Sequence, residues 1–92
     1  MVIVSGILSA RGCRDAVGIA SLQQLSPGRV RIILEKPLSK GSAKWLAIPL
    51  GMTSSVTIHF EEESDLTKIF ETRIAGTAGD TPQEFQIRAI KV

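Results

Sequence analysis

The stretch Ser64-Asp65-Leu66-Thr67-Lys68-Ile69-Phe70-Glu71-Thr72-Arg73-Ile74-Ala75 decides the fold class, because it supports two readings. As a helix, Ser64 would cap the N-terminus and Asp65 would face the positive end of the helix dipole. Leu66, Ile69, Phe70 and Ile74 would then form an apolar stripe, and Gly76 would stop the run. As a strand, the same residues place Phe70, Thr72 and Ile74 on one row, paired with residues 84–91 across a glycine-rich hairpin loop. Thr67, Ile69, Thr72 and Ile74 are all β-branched, which suits a pleated surface better than a helix, so the strand reading is preferred.

The neighbouring sequence favours the same choice. Val56, Ile58 and Phe60 alternate with Thr57, His59 and Glu61, the period of a half-buried strand. Between Gly28 and Glu35, Val30, Ile32 and Leu34 would face a core while Arg29, Arg31 and Glu35 face outward. Phe85, Ile87 and Ala89 alternate with Glu84, Gln86 and Arg88 in a further strand. Residues 2–8 are apolar on both rows, as in a central strand covered on both faces, and residues 44–48 are a fifth candidate ended by Pro49 and Gly51. Asp15 to Leu25 is open: capped by Asp15 with Ile19, Leu22 and Leu25 inward it would be a helix, although Gly18 weakens it by about 1 kcal/mol. The expected fold is a single all-β domain over residues 1–92, a small barrel or sandwich of six or seven short strands. The alternative is an α+β domain with a helix at about 64–75.

Composition bounds the function. With 92 residues there is room for one domain, and 43% hydrophobic against 22% charged residues excludes disorder. No apolar run approaches the roughly 20 residues of a membrane helix. No basic segment precedes the N-terminal apolar run and Cys13 is the single cysteine, so a cytoplasmic location and no membrane partner are expected. Charge divides along the chain. Residues 1–44 carry seven basic residues against two acidic, and residues 45–92 four against seven. A solvated surface, a basic binding face, or two faces that meet between subunits would each account for the split.

No residue set points to catalysis. His59 lies on a polar row beside Glu61, but no nucleophile accompanies it. Arg11 and Arg14 near Cys13 would favour its thiolate, yet one cysteine supplies neither a metal ligand set nor a triad. Glu61-Glu62-Glu63 with Asp65 has the oxygen ligands a divalent cation needs, in a spacing unlike an EF-hand loop, and reads as a solvated strand end. The chain is read as non-enzymatic, with no cofactor and no metal.

The basic loop Lys36-Pro37-Leu38-Ser39-Lys40-Gly41-Ser42-Ala43-Lys44 is the strongest positive feature. Arg29, Arg31, Lys40, Ser42, Lys44 and Trp45 are the candidate binding residues: ammonium and guanidinium groups for phosphates, a hydroxyl donor, and an indole to stack one base. The loop lacks the residue order of a P-loop, so nucleotide hydrolysis is not expected.

Residues 25–41, Leu-Ser-Pro-Gly-Arg-Val-Arg-Ile-Ile-Leu-Glu-Lys-Pro-Leu-Ser-Lys-Gly, resemble the middle of a PilZ domain. That β-barrel family binds cyclic di-GMP through arginines and a serine-containing turn. The match covers less than a fifth of the chain, and Gln24 and Leu25 stand where the family carries Asp or Asn ahead of the serine. Lys44-Trp45-Leu46-Ala47-Ile48-Pro49 is similar to a short strand ending in some phage tail and head-joining proteins. The leading expectation is an assembly or protein-interaction module, self-associating or bound to another protein and in one version a phage-like structural component. The alternative is a nucleic-acid or phosphate-ligand module, of cyclic-dinucleotide type, using residues 29–45.

Overall fold

A computed structural model describes residues 2–9, 12–50, 56–74 and 84–92. They form eight strands and no helix: β1 Val2–Ser9, β2 Gly12–Val17, β3 Ile19–Ser26, β4 Arg29–Leu34, β5 Ala43–Pro49, β6 Val56–Glu61, β7 Thr67–Ile74 and β8 Phe85–Lys91. Two four-stranded antiparallel sheets result, one ordered β2-β1-β8-β5 and the other β3-β4-β7-β6. The all-β fold follows, with eight strands where six or seven are expected.

Both open segments are strands. Residues 67–74 form β7, with Phe70 and Thr72 buried on one row as the β reading requires. The expected partner is wrong, however: β7 pairs with β4 and β6, while residues 85–91 pair with β1 and β5 in the other sheet. Glycine-rich residues 75–83 therefore connect two sheets rather than turn a hairpin; their own conformation lies outside the described residues. Asp15 caps no helix. It has φ +52° where β2 slips against β1, so that Ser5 faces Val17 while Ile7 faces Arg14. Ile19 and Leu22 pack on the core and Leu25 is exposed. Their three-residue spacing imitates a helix because the β3–β4 register shifts between Ile19 and Ser21, which puts Ile19 and Leu22 on one face of a strand.

The sheets enclose one core. Val4, Leu8, Val30, Ile32, Leu34, Phe70, Phe85, Ile87 and Ala89 are buried in it, with Ile3, Trp45, Ala47 and Ile58 packed at its margin. The alternating rows of β4 and β8 are thus as expected. β1 is central as expected, but only its inner row is fully buried, and Val2 and Ile7 reach the outer surface. Four rings bridge the sheets. Phe70 lies 6.0 Å from Trp45, 5.0 Å from Phe60 and 5.7 Å from Phe85, so one side chain touches aromatic residues of three other strands.

Along one side the sheets are joined by the chain itself, which passes from β2 to β3 through Gly18 at φ +79°. A Cβ on Gly18 would stand 2.9 Å from the Ile3 carbonyl oxygen and 3.1 Å from a Val4 methyl, and the Gly18 carbonyl accepts the Glu35 N–H at 2.9 Å. Gly18→Ala is therefore expected to lower unfolding free energy by about 2 kcal/mol, from the left-handed backbone and the close contact together. Urea titration reads this, and a loss below about 0.5 kcal/mol would show that the hinge is not restricted to glycine. Along the other side β5 and β6 lie next to each other without a ladder, bridged by Trp45 and Phe60 at 5.4 Å.

Candidate functional site

The candidate residues Arg29 and Arg31 stand on the outward row of β4, but both are engaged within the chain. Arg31 donates from Nε and Nη2 to the two oxygens of Glu63, each at 2.7 Å, and from Nη1 to Gln23 Oε1 at 3.1 Å. This two-pronged geometry is the strong form of a guanidinium–carboxylate pair. The Arg31 hydrogen bonds, with one from Thr67, hold the Glu63 carboxyl below the usual carboxylate range, and the same contact raises the Arg31 guanidinium. Arg29 lies 3.9 Å from Glu71, whose other oxygen is taken by Arg73.

With Arg14 on Glu84 at 3.0 Å, three cations of the basic half are paired to carboxylates of the acidic half inside one molecule. Antiparallel pairing across the sheets brings the two halves together, so much of the charge split along the sequence is internal. The acidic run is engaged in the same way: Glu63 holds Arg31, and Glu62 Oε2 accepts the Gly41 N–H at 3.2 Å. Among the described residues no three potential metal ligands come together.

The loop after β4 is anchored against the turn that follows β6. Leu38 N–H donates to the Asp65 carbonyl at 2.8 Å, and the fully buried Lys68 donates from Nζ to the carbonyls of Leu38 at 2.8 Å and Ser64 at 2.7 Å. Ser42 turns its hydroxyl inward to the Ser39 carbonyl at 2.6 Å, so its donor is already used. Lys40 and Lys44 are exposed, with no carboxylate at salt-bridge distance among the described residues. Trp45 points into the molecule against Phe60 and Phe70, with its indole N–H buried and without a partner among the described residues. A stacked base would need an exposed ring face at that position, which this packing does not offer. Of the six candidate residues, Lys40 and Lys44 alone present unengaged polar groups to solvent.

Beneath the loop, at the Gly18 end of the two sheets, lies a cleft of ≈ 490 Å³. Ile3, Val4, Val17, Pro37 and Leu38 form its apolar walls, and Lys36, Ser42, Glu35 and Lys91 complete the lining. Sequence reasoning missed it, because its walls come from four separate strands or loops; the one signal was the apolar Leu38 within a basic loop. Lys68 was also missed, since a lysine on an otherwise apolar row gives no sign that two carbonyls will meet it.

The other two candidates, His59 and Cys13, lie on strands of opposite sheets. His59 is exposed on β6 opposite Glu71 in the ladder. Cys13 is an exposed thiol, its neighbour Arg14 is turned to Glu84, and Arg11 lies outside the described residues. No described helix is long and apolar enough to cross a membrane. No family model, curated protein or solved structure matches this chain.

Proposed function

We propose that this chain is a non-enzymatic assembly module that self-associates through the outer face of the sheet β2-β1-β8-β5. The observation that carries the reading is the outward row of β5. Leu46 and Ile48 are 38% and 51% exposed on a strand at the edge of its sheet, Leu50 just past its end is 43% exposed, and Lys44 is the only charge on that row of β5. Register extends the surface inward: Ile48 stands opposite Gln86, which stands opposite Ile7, and Lys44 stands opposite Ile90. Edge strands of monomeric proteins are usually blunted by charges, and clustered exposed apolar side chains mark contact surfaces. The nucleic-acid reading has less support, because it relies on Arg29, Arg31 and Trp45.

Lys44 and Arg88, which stands opposite Leu46, are exposed on the same face and carry one sign, so attraction between copies rests on the apolar row and survives salt. Sedimentation at high micromolar concentration is expected to show a defined oligomer at both low and high salt. Ile48→Lys is expected to weaken it at least tenfold, since burying such a side chain contributes about 1.5–3 kcal/mol. A monomer under both conditions, or an oligomer indifferent to Ile48→Lys and Leu46→Glu, would overturn the proposal.

A further inference from the structure

We infer that the cleft at the Gly18 end binds a small amphiphilic anion, an alkyl chain of about eight carbons ending in a carboxylate. At ≈ 490 Å³ it falls within the roughly 300–1,000 Å³ of small-molecule sites. Allowing roughly 30 Å³ per methylene-sized unit, the share of one water in the liquid, it takes such a tail with space for a hydrated head group.

The walls determine the tail. Val4 belongs to the core, Ile3 and Leu38 pack on it, and Val17 stands beside the hinge at 57% exposure, so the cleft offers an alkyl chain a surface of aliphatic carbon. The wall is well held. Leu38 is fixed by its N–H to Asp65 and by its carbonyl to Lys68, and Gly18 by its carbonyl to the Glu35 N–H. A site already formed before binding loses little affinity to ordering.

Charge determines the head. Lys36 and Lys91 line the cleft, both exposed and neither within salt-bridge distance of a carboxylate among the described residues. Glu35 is the one acidic residue of the lining, so the lining carries a net positive charge. Ser42 cannot donate to the head group because its hydroxyl is bonded to Ser39. Recognition therefore rests on the two ammonium groups, which bind an anion as point charges.

The test is amide NMR titration of the whole chain with octanoate, 1-octanol and acetate at constant ionic strength. Octanoate is expected to give saturable shifts concentrated at residues 17–18 and 36–42, with octanol about threefold weaker and acetate silent. Lys36→Glu with Lys91→Glu is expected to weaken octanoate at least tenfold and leave octanol unchanged, while Glu35→Gln tightens octanoate about twofold. These are exposed positions, and an unchanged amide spectrum elsewhere establishes that the variants fold. Equal affinity for octanol and octanoate, binding of acetate alone, unsaturable shifts spread over the molecule, or octanoate binding indifferent to the lysine pair would each overturn the inference. No residue of β5 lines the cleft, so Ile48→Lys is expected to leave octanoate binding intact, which separates failure of this inference from failure of the assembly reading.

Discussion

Phe70→Ala is expected to remove about 4 kcal/mol of unfolding free energy, within the roughly 3–5 kcal/mol that truncating a buried phenylalanine costs. The ring has no exposed surface and touches Trp45 and Phe85 in one sheet and Phe60 in its own. Its loss leaves a void bounded by both sheets, and rigid ladders on each side limit collapse around it. A domain of this size has on the order of 5–14 kcal/mol in all, so the variant loses a large share of its margin. Denaturant titration followed by Trp45 fluorescence reads the effect directly, because Trp45 packs against the deleted ring. Phe70→Leu, which keeps most of the volume, should lose about 1.5 kcal/mol. An alanine variant within about 1.5 kcal/mol of the parent would show that the aromatic cluster is not the centre of the core.

The second large effect is expected at Lys68. Its ammonium is buried with no carboxylate at salt-bridge distance among the described residues and donates to the Leu38 and Ser64 carbonyls, tying the loop after β4 to the turn after β6. Lys68→Ala removes a charged donor from two buried carbonyls and leaves a cavity as well, a loss of about 4 kcal/mol. Lys68→Met keeps the stem and removes the ammonium, together with the cost of burying it, and should lose about 2 kcal/mol. The difference separates packing from hydrogen bonding. Faster hydrogen exchange at Leu38 and Ser42 in the methionine variant would show that the loop has been released. A methionine variant as stable as the parent, with exchange unchanged, would show that the lysine is held for its carbon chain alone.

Strand positions were legible wherever a row ran uninterrupted. Val30, Ile32 and Leu34, and Phe85, Ile87 and Ala89, are buried as their alternation requires. Legibility failed where register slips. In β3 the bulge after Ile19 turns a period of two into an apparent period of three, which is why residues 15–25 stay open between helix and strand in the sequence. Strand partners were not legible, because alternation reveals a face and not a neighbour, and β7 and β8 were placed side by side although they lie in opposite sheets. The basic loop could be located, but its use could not. Whether an arginine meets solvent or a glutamate 32 positions away, as Arg31 meets Glu63, depends on strand order. The cleft depends on the same unread information, since β1, the hinge, the loop and β8 meet only after both sheets have closed.

The interleaving of the sheets also bears on how the chain emerges during synthesis. Every strand of the sheet β3-β4-β7-β6 lies between Ile19 and Ile74, so that sheet is complete in sequence before β8 is made. The other sheet has β1 paired to β8 at its centre and has no middle until Lys91 appears. At about 5–20 residues per second the interval is on the order of one to three seconds. Throughout it the inner row of β4 and the ring of Phe70 lack the Phe85, Ile87 and Ala89 side chains that complete the core, a lipophilic plate only partly roofed in every round of translation.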